Sequence, residues 1–130
     1  MYLPDTNTLI YFFKGQGRVA EQLLTQPRTS LLLSSIVLYE LETGIAKSTD
    51  SRRRRQQLNT LADSMTVVPF GRAEAVVAAQ LRATLEQAGT PIGPEDLLIA
   101  ATAISQRATL VTHNTREFSR IAGLALADWF

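Results

Sequence analysis

Short apolar runs alternate with longer stretches of helical periodicity along the whole of this chain. The strand candidates are "MYLP", which ends at Asp5, "SLLLS" at 30–34, "MTVVPF" at 65–70, "ATLVT" at 108–112 and "LALADW" near the end. Between them the pattern predicts helices near 6–13, 17–25, 35–47, 51–63, 72–88, 94–107 and 115–120. Several boundaries carry their own signals. Ser34 and Ser35 can cap the helix that begins at Ile36. Gly93-Pro94 puts a proline at the first helical position, where its missing N–H costs nothing, and Gly89 is a natural stop for the long helix before it. Strand–helix alternation of this kind predicts an α/β layer fold with a mostly parallel sheet. In such sheets ligands gather outside the carboxyl ends of the strands. With no internal repeat, low-complexity tract or linker-like stretch, residues 1–130 read as one domain.

Composition narrows the chemistry. The chain is 45% hydrophobic and 19% charged, an ordinary globular balance. No apolar run approaches the roughly 18 residues that span a membrane, and "MYLPDTN" has neither the basic region nor the apolar stretch of a leader, so the expected compartment is the cytoplasm. The absence of cysteine excludes disulfide scaffolds, thiolate metal sites and cysteine nucleophiles. A single histidine, His113, argues against a multi-histidine zinc site. The net charge of +1 announces no nucleic-acid binder, but Arg52, Arg53, Arg54 and Arg55 stand in one run. Such a run is a solvated helix face or a contact for phosphates or an acidic partner. There is no Gly-rich phosphate loop and no G-x-S-x-G elbow.

Four regions hold the candidate polar chemistry. Asp5 follows the first strand in "LPDTNTLIYFF", where it serves either as a helix N-cap or as a strand-end metal ligand. In "SSIVLYELETGIA", a rotation of about 100° per residue centres the buried stripe on Val37, Leu41 and Ile45. Glu40 and Glu42 flank that stripe on opposite sides, and periodicity does not choose between them. In "PIGPEDLLIAATAI", Glu95 and Asp96 both sit where a helix start welcomes acids. Asp96 shares a side with Ile99 and Ala100, one turn on, while Glu95 points about 100° away. The fourth region is "LVTHNTREF", with His113, Asn114 and Glu117 after a strand ending at Thr112. Carboxylates and amides at strand ends and helix starts suit a hard, oxygen-seeking cation, Mg²⁺ or Mn²⁺. Two such ions can align a water for in-line attack on a phosphodiester.

These regions together resemble the PIN-domain ribonucleases, and in particular the VapC toxins of bacterial type II toxin–antitoxin pairs. The matching segments are "DTNTLIYFFKG" (5–15), "SSIVLYELETGIAKS" (34–48), "PIGPEDLLIAATAI" (91–104) and "LVTHNTREFSRIAGLALADW" (110–129), in family order and spacing. The resemblance implies a three-layer PIN-like fold, with a central, mostly parallel sheet of about four to five strands flanked by helices. It implies that Asp5, Glu40 and Asp96 are the metal-binding, catalytic acids, with Glu42 a bystander and Glu95 outside the acidic position. Thr6, Asn7 and Thr112 are the implied supporting hydroxyls and amides. His113 reads as a bystander. Where many PIN domains place a fourth acid this chain has Asn114, and Glu117, with its longer reach, is the alternative. The implied activity is Mg²⁺- or Mn²⁺-dependent cleavage of single-stranded or looped RNA, transfer RNA included, since loops expose readable bases. Lys14, Arg116 and Arg120 are the candidate phosphate contacts. The implied partners are a VapB-type protein antitoxin, whose tail crosses the cleft, and a second toxin copy.

Pro4 departs from the family pattern, because it stands where a central parallel strand is expected and removes a ladder donor. Either the strand accommodates it at its last residue or this chain is an attenuated one. Pro4 and Asn114 together define the rival reading, a non-catalytic PIN-fold module that holds RNA or a protein. A second rival is a structure-specific DNA nuclease on the same scaffold.

Overall fold

The computed structural model describes residues 1–130. Its five short strands are β1 (Tyr2–Pro4), β2 (Leu32–Ser34), β3 (Thr66–Val68), β4 (Thr109–Val111) and β5 (Leu126–Ala127), and every pairing is parallel. β1, β4 and β5 form one ladder, β2 and β3 another, and a parallel bridge from Tyr2 to Leu31 joins the two. The spatial order is therefore 3-2-1-4-5. The chain winds outward from β1 to β3, then returns to lay β4 and β5 on the other side of β1. That reversal opens a crevice beyond the carboxyl ends of β1 and β4.

Seven helices flank the sheet: α1 (Thr6–Lys14), α2 (Val19–Leu24), α3 (Ser35–Ala46), α4 (Ser51–Asp63), α5 (Arg72–Gln87), α6 (Pro94–Ser105) and α7 (Thr115–Phe118). The expected elements are all present, with trimmed ends. Residues 28–30 form a tight turn rather than the start of β2, and β3 stops at Val68, before Pro69. None of the helices is long and apolar enough to cross a membrane.

Local chemistry explains the helix ends near the crevice. Of the two serines before α3, Ser34 caps it by accepting the Ile36 N–H at 3.1 Å. Ser35 is the first helical residue, and its Oγ accepts the Phe70 N–H at 3.1 Å, fixing α3 to the chain after β3. α1 ends on Gly15, whose φ of 65° is the left-handed conformation that glycine adopts without penalty. α3 buries Val37, Leu41 and Ile45, the stripe that its periodicity predicts. α6 buries Ile99, Ala100, Ala101 and Ala103, and these mostly small side chains let the helix lie close to its neighbours. The core joins them to Leu3, Leu33, Leu110, Val111 and Phe118, and Trp129 closes one edge against Tyr2 at 5.1 Å between ring centroids.

Pro4 is the last residue of β1 and is fully buried. It sits opposite Val111, yet β1 pairs with β4 through its odd residues: the Thr109 N–H bonds to the Met1 carbonyl and the Asp5 N–H to the Val111 carbonyl, each at 2.9 Å. In a parallel strand alternate residues bond to alternate neighbours. An N–H at position 4 would point toward β2, where the seam is already reduced to the single Tyr2–Leu31 bridge. The ladder to β4 loses nothing, so the strand accommodates its proline.

Candidate active site

Asp5 leaves β1 directly into the crevice. It is buried, and its Oδ1 accepts the Thr8 N–H at 2.9 Å as the N-cap of α1. The cap role and a role at the site are therefore compatible, because the cap engages only Oδ1. Thr8 in turn donates from its Oγ1 to the Val111 carbonyl at 3.1 Å, tying the start of α1 to the end of β4. Thr6, on the same turn, donates from its Oγ1 to Glu40 Oε1 at 2.5 Å, across 34 residues of sequence.

That bond separates the two acids of α3. Glu40 is held toward the Asp5 turn. Glu42 faces α4, where Arg55 grips both its oxygens at 2.5 and 2.6 Å. The Arg55 hydrogen bonds hold the Glu42 carboxyl below the usual carboxylate range. One face of α3 thus serves the crevice and the other a surface ion pair.

Asp96 completes the convergence. It is half-buried in the first turn of α6, and its pKa is raised from 3.8 to about 6. Burial is the largest cause, followed by repulsion from Glu117, then from Asp5 and Glu40, and by a hydrogen bond with Glu117 that favours the protonated acid. Glu95, its sequence neighbour, is not among these influences. Glu117 arrives from α7. Its Oε1 accepts the Gly93 N–H at 3.3 Å and its Oε2 accepts Asn114 Nδ2 at 2.7 Å. Asn114 is thus the residue that positions Glu117, and Glu117 is the fourth carboxylate facing the crevice. Thr112, wholly buried, accepts the Asn114 N–H at 3.0 Å and shapes the turn after β4.

Other residues singled out in the sequence are placed elsewhere. Asn7 is exposed and bonds to none of the acids. The His113 Nδ1 pairs with Asp128 Oδ2 at 3.0 Å and its ring stacks on Phe130 at 4.2 Å, which commits it to the C-terminal tail. Arg120 donates to the Pro91 carbonyl at 3.0 Å, and so tethers α7 to the loop before α6. Arg116 is exposed. Lys14 lines a groove that reaches Glu40, and Arg53 and Arg54 line the same groove. The arginine run was visible in the sequence, but nothing in it says which members face α3.

The donor set suits a hard divalent cation: oxygen ligands only, no thiol, and the one imidazole engaged by the tail. Burial is the largest cause of the raised Asp96 pKa, but the share due to Glu117, Asp5 and Glu40 accords with that fit, since carboxylates that repel one another gain from a cation among them. The side chains are nevertheless not closed around one point: no three acids or histidines stand as a ready ligand shell. A cation held by these acids would have to draw them inward.

Comparison with known proteins identifies chains and folds similar to this one. The PIN domain family model matches residues 2–124. The chain is 37% identical over 131 residues to Ribonuclease VapC2 of Rickettsia felis, covering 99% of this chain and 98% of the relative. It is 34% identical over 128 residues to the tRNA(fMet)-specific endonuclease VapC of Salmonella typhimurium, covering 98% and 97%. Among solved structures, VapBC2 from Rickettsia felis bound to a DNA fragment from its promoter superposes with a TM-score of 0.93, 35% identity and 99% and 98% coverage. FitAcB from Neisseria gonorrhoeae superposes with a TM-score of 0.85, 28% identity and 97% and 96% coverage.

Proposed function

The chain belongs to the PIN-domain family, and from that premise we propose that it is a Mg²⁺- or Mn²⁺-dependent endoribonuclease, the toxin of a type II pair held in check by a VapB-type antitoxin. The observation that carries the metal-dependent reading is the meeting of Asp5, Glu40, Asp96 and Glu117 beyond the carboxyl ends of β1 and β4. Its relatives are named as ribonucleases or, in one case, as an endonuclease specific for a transfer RNA, and its structural neighbours include toxin–antitoxin complexes. Transfer RNA and other looped RNA are accordingly the substrates proposed here.

Asp5, Glu40 and Asp96, with Glu117 as the fourth, would hold the cation. A bound divalent ion supplies a water of lowered pKa and stabilises charge on the phosphoryl oxygens. The chain's own residues provide the positioning. Thr8 fixes one oxygen of Asp5, Thr6 orients Glu40, and Asn114 with the Gly93 N–H orients Glu117. Asp96, with a pKa of about 6, is mostly ionised at neutral pH and so able to ligate. The same acid-lined crevice suits an arginine from the antitoxin, whose planar fork matches a carboxylate. We include a second copy of the chain among its partners.

With Glu117 in place of the missing acid and Pro4 accommodated, neither residue favours a non-catalytic module. The test is cleavage of transfer RNA with and without MgCl₂. Glu40→Gln should remove most metal-dependent cleavage, whereas Glu42→Gln should retain it, with native far-UV circular dichroism in both. Equal loss in the two variants, or cleavage in excess chelator, would refute the assignment. Competition with single-stranded DNA separates an RNA nuclease from a DNA nuclease.

A further inference from the structure

A groove of about 390 Å³ lies between α1, α3 and α4, and its lining includes Glu40, Lys14, Arg53 and Arg54. We propose that this groove receives a nucleotide of the RNA strand next to the scissile bond, with Arg53 and Arg54 on its phosphates and its base against the apolar lining residues. The proposal rests on the reading of the chain as an RNA nuclease and extends it to a binding subsite.

Continuity is the first argument. Glu40 belongs to both places: its carboxylate is held by Thr6 and acts on Asp96, and it also lines the groove. A strand whose phosphate lies at the acids therefore has this channel as its next stop. The size, within the usual range of small-ligand pockets, suits a single base rather than a duplex.

The second argument is the division of the arginine run. Arg55 is consumed by its bidentate pair with Glu42. Arg53 and Arg54 are exposed and enter no ion pair. With Lys14 they set three cations against two acids, Glu40 and Asp50, in the lining. When Glu40 is engaged by a divalent ion, the remaining field is cationic. Cations left unpaired in a groove whose apolar lining includes Phe13 are the ingredients of single-strand recognition: charge for the backbone and a flat ring for the base.

Gly44 is the third. It lies inside α3, where glycine is the poorest helix former short of proline. Its φ is not positive, and a Cβ there would meet nothing within 4 Å, so neither backbone strain nor packing calls for it. What the missing side chain does is keep the groove open, since Gly44 is part of its wall. An apolar groove for a protein segment would explain the apolar lining but not the two unpaired arginines.

The experiment uses the full chain and two probes, total transfer RNA for cleavage in MgCl₂ and a 5′-labelled single-stranded RNA for binding in chelator across a salt series. Arg53→Ala/Arg54→Ala should raise KM about tenfold or more and change kcat little, the signature of lost uniform binding. The slope of log affinity on log salt should shrink by about 1.4, at about 0.7 per single-strand phosphate contact. Arg53→Lys/Arg54→Lys should restore most of that slope. Gly44→Leu should raise KM by obstruction and leave the slope unchanged, and Arg52→Ala, outside the lining, should alter neither. Circular dichroism checks that each variant is folded. Parental KM and slope in the double alanine variant overturn the proposal while the nuclease reading stands, and point to a protein occupant. A parent that neither binds nor cleaves RNA overturns both.

Discussion

Replacing Asp96 with Asn removes the charge that the site tolerates least. A pKa raised from 3.8 to about 6 means that the folded protein binds a proton more tightly than the unfolded chain. The Asp96 contribution to the stability of the metal-free protein therefore falls as pH rises from about 4 to about 6 and levels off above. Two units correspond to about 3 kcal/mol at 1.36 kcal/mol per unit. Asp96 is only half-buried, so solvent screening reduces this to about 1–2 kcal/mol. The variant also loses a favourable first-turn charge on α6, which costs about 0.3–1 kcal/mol. The combined cost of burying and crowding this charge is the larger effect, and in chelator at pH 7.5 Asp96→Asn should be more stable than the parent by about 1 kcal/mol. The pH slope between 4 and 6 should flatten. Millimolar Mg²⁺ or Mn²⁺ should stabilise the parent by about 1.4 kcal/mol at ten times Kd, and the variant far less. Urea melts from pH 4 to 8, with chelator and with metal, measure all of this, with Glu95→Gln as the control. That change should cost about 0.3–1 kcal/mol through the helix dipole and leave the metal shift intact. Equal metal shifts in all three proteins, or an unflattened slope in Asp96→Asn, would show that Asp96 is an ordinary helix-start acid.

Three further outcomes follow from the geometry. Thr6→Val keeps the shape of the side chain but releases Glu40 Oε1, and should lower kcat about tenfold, as expected for one hydrogen bond to a charged group, and destabilise the fold by about 1–2 kcal/mol with native far-UV circular dichroism. Pro4→Leu should not stabilise the protein: no ladder bond waits to be recovered, the unfolded chain gains about 0.4–1 kcal/mol of freedom, and the buried site is already filled. A gain above about 1 kcal/mol in urea would contradict this account of the strand. Gly44→Ala should stabilise α3 by about 0.5–1 kcal/mol, whereas Gly15→Ala, at a φ of +65°, should destabilise by a similar amount or more, read by the same melts.

Sequence alone determined the layers of this protein and the addresses of its acids. Alternating apolar runs and helical periods required an α/β sheet, the stripe of Val37, Leu41 and Ile45 set the buried face of α3, and Gly93-Pro94 started α6. Asp5 after the first strand and Asp96 in a first turn were legible because their places depend on local backbone chemistry. What periodicity reports is an angle about one helix axis. It cannot report which neighbour lies on each side. The division between Glu40 and Glu42 was made by Thr6 on α1 and Arg55 on α4, partners 34 and 13 residues away. Glu117 became the fourth acid only because the Gly93 N–H, 24 residues earlier, and Asn114 hold it toward Asp96. Pro4 could not be judged until the ladder showed that its missing donor faces the β2 seam rather than β4. Even the arginine run divided by tertiary contact, one member into an ion pair and two onto a groove. A charge's role depends on what folding brings within a few ångströms of it, because Coulomb and hydrogen-bond energies fall away over that distance.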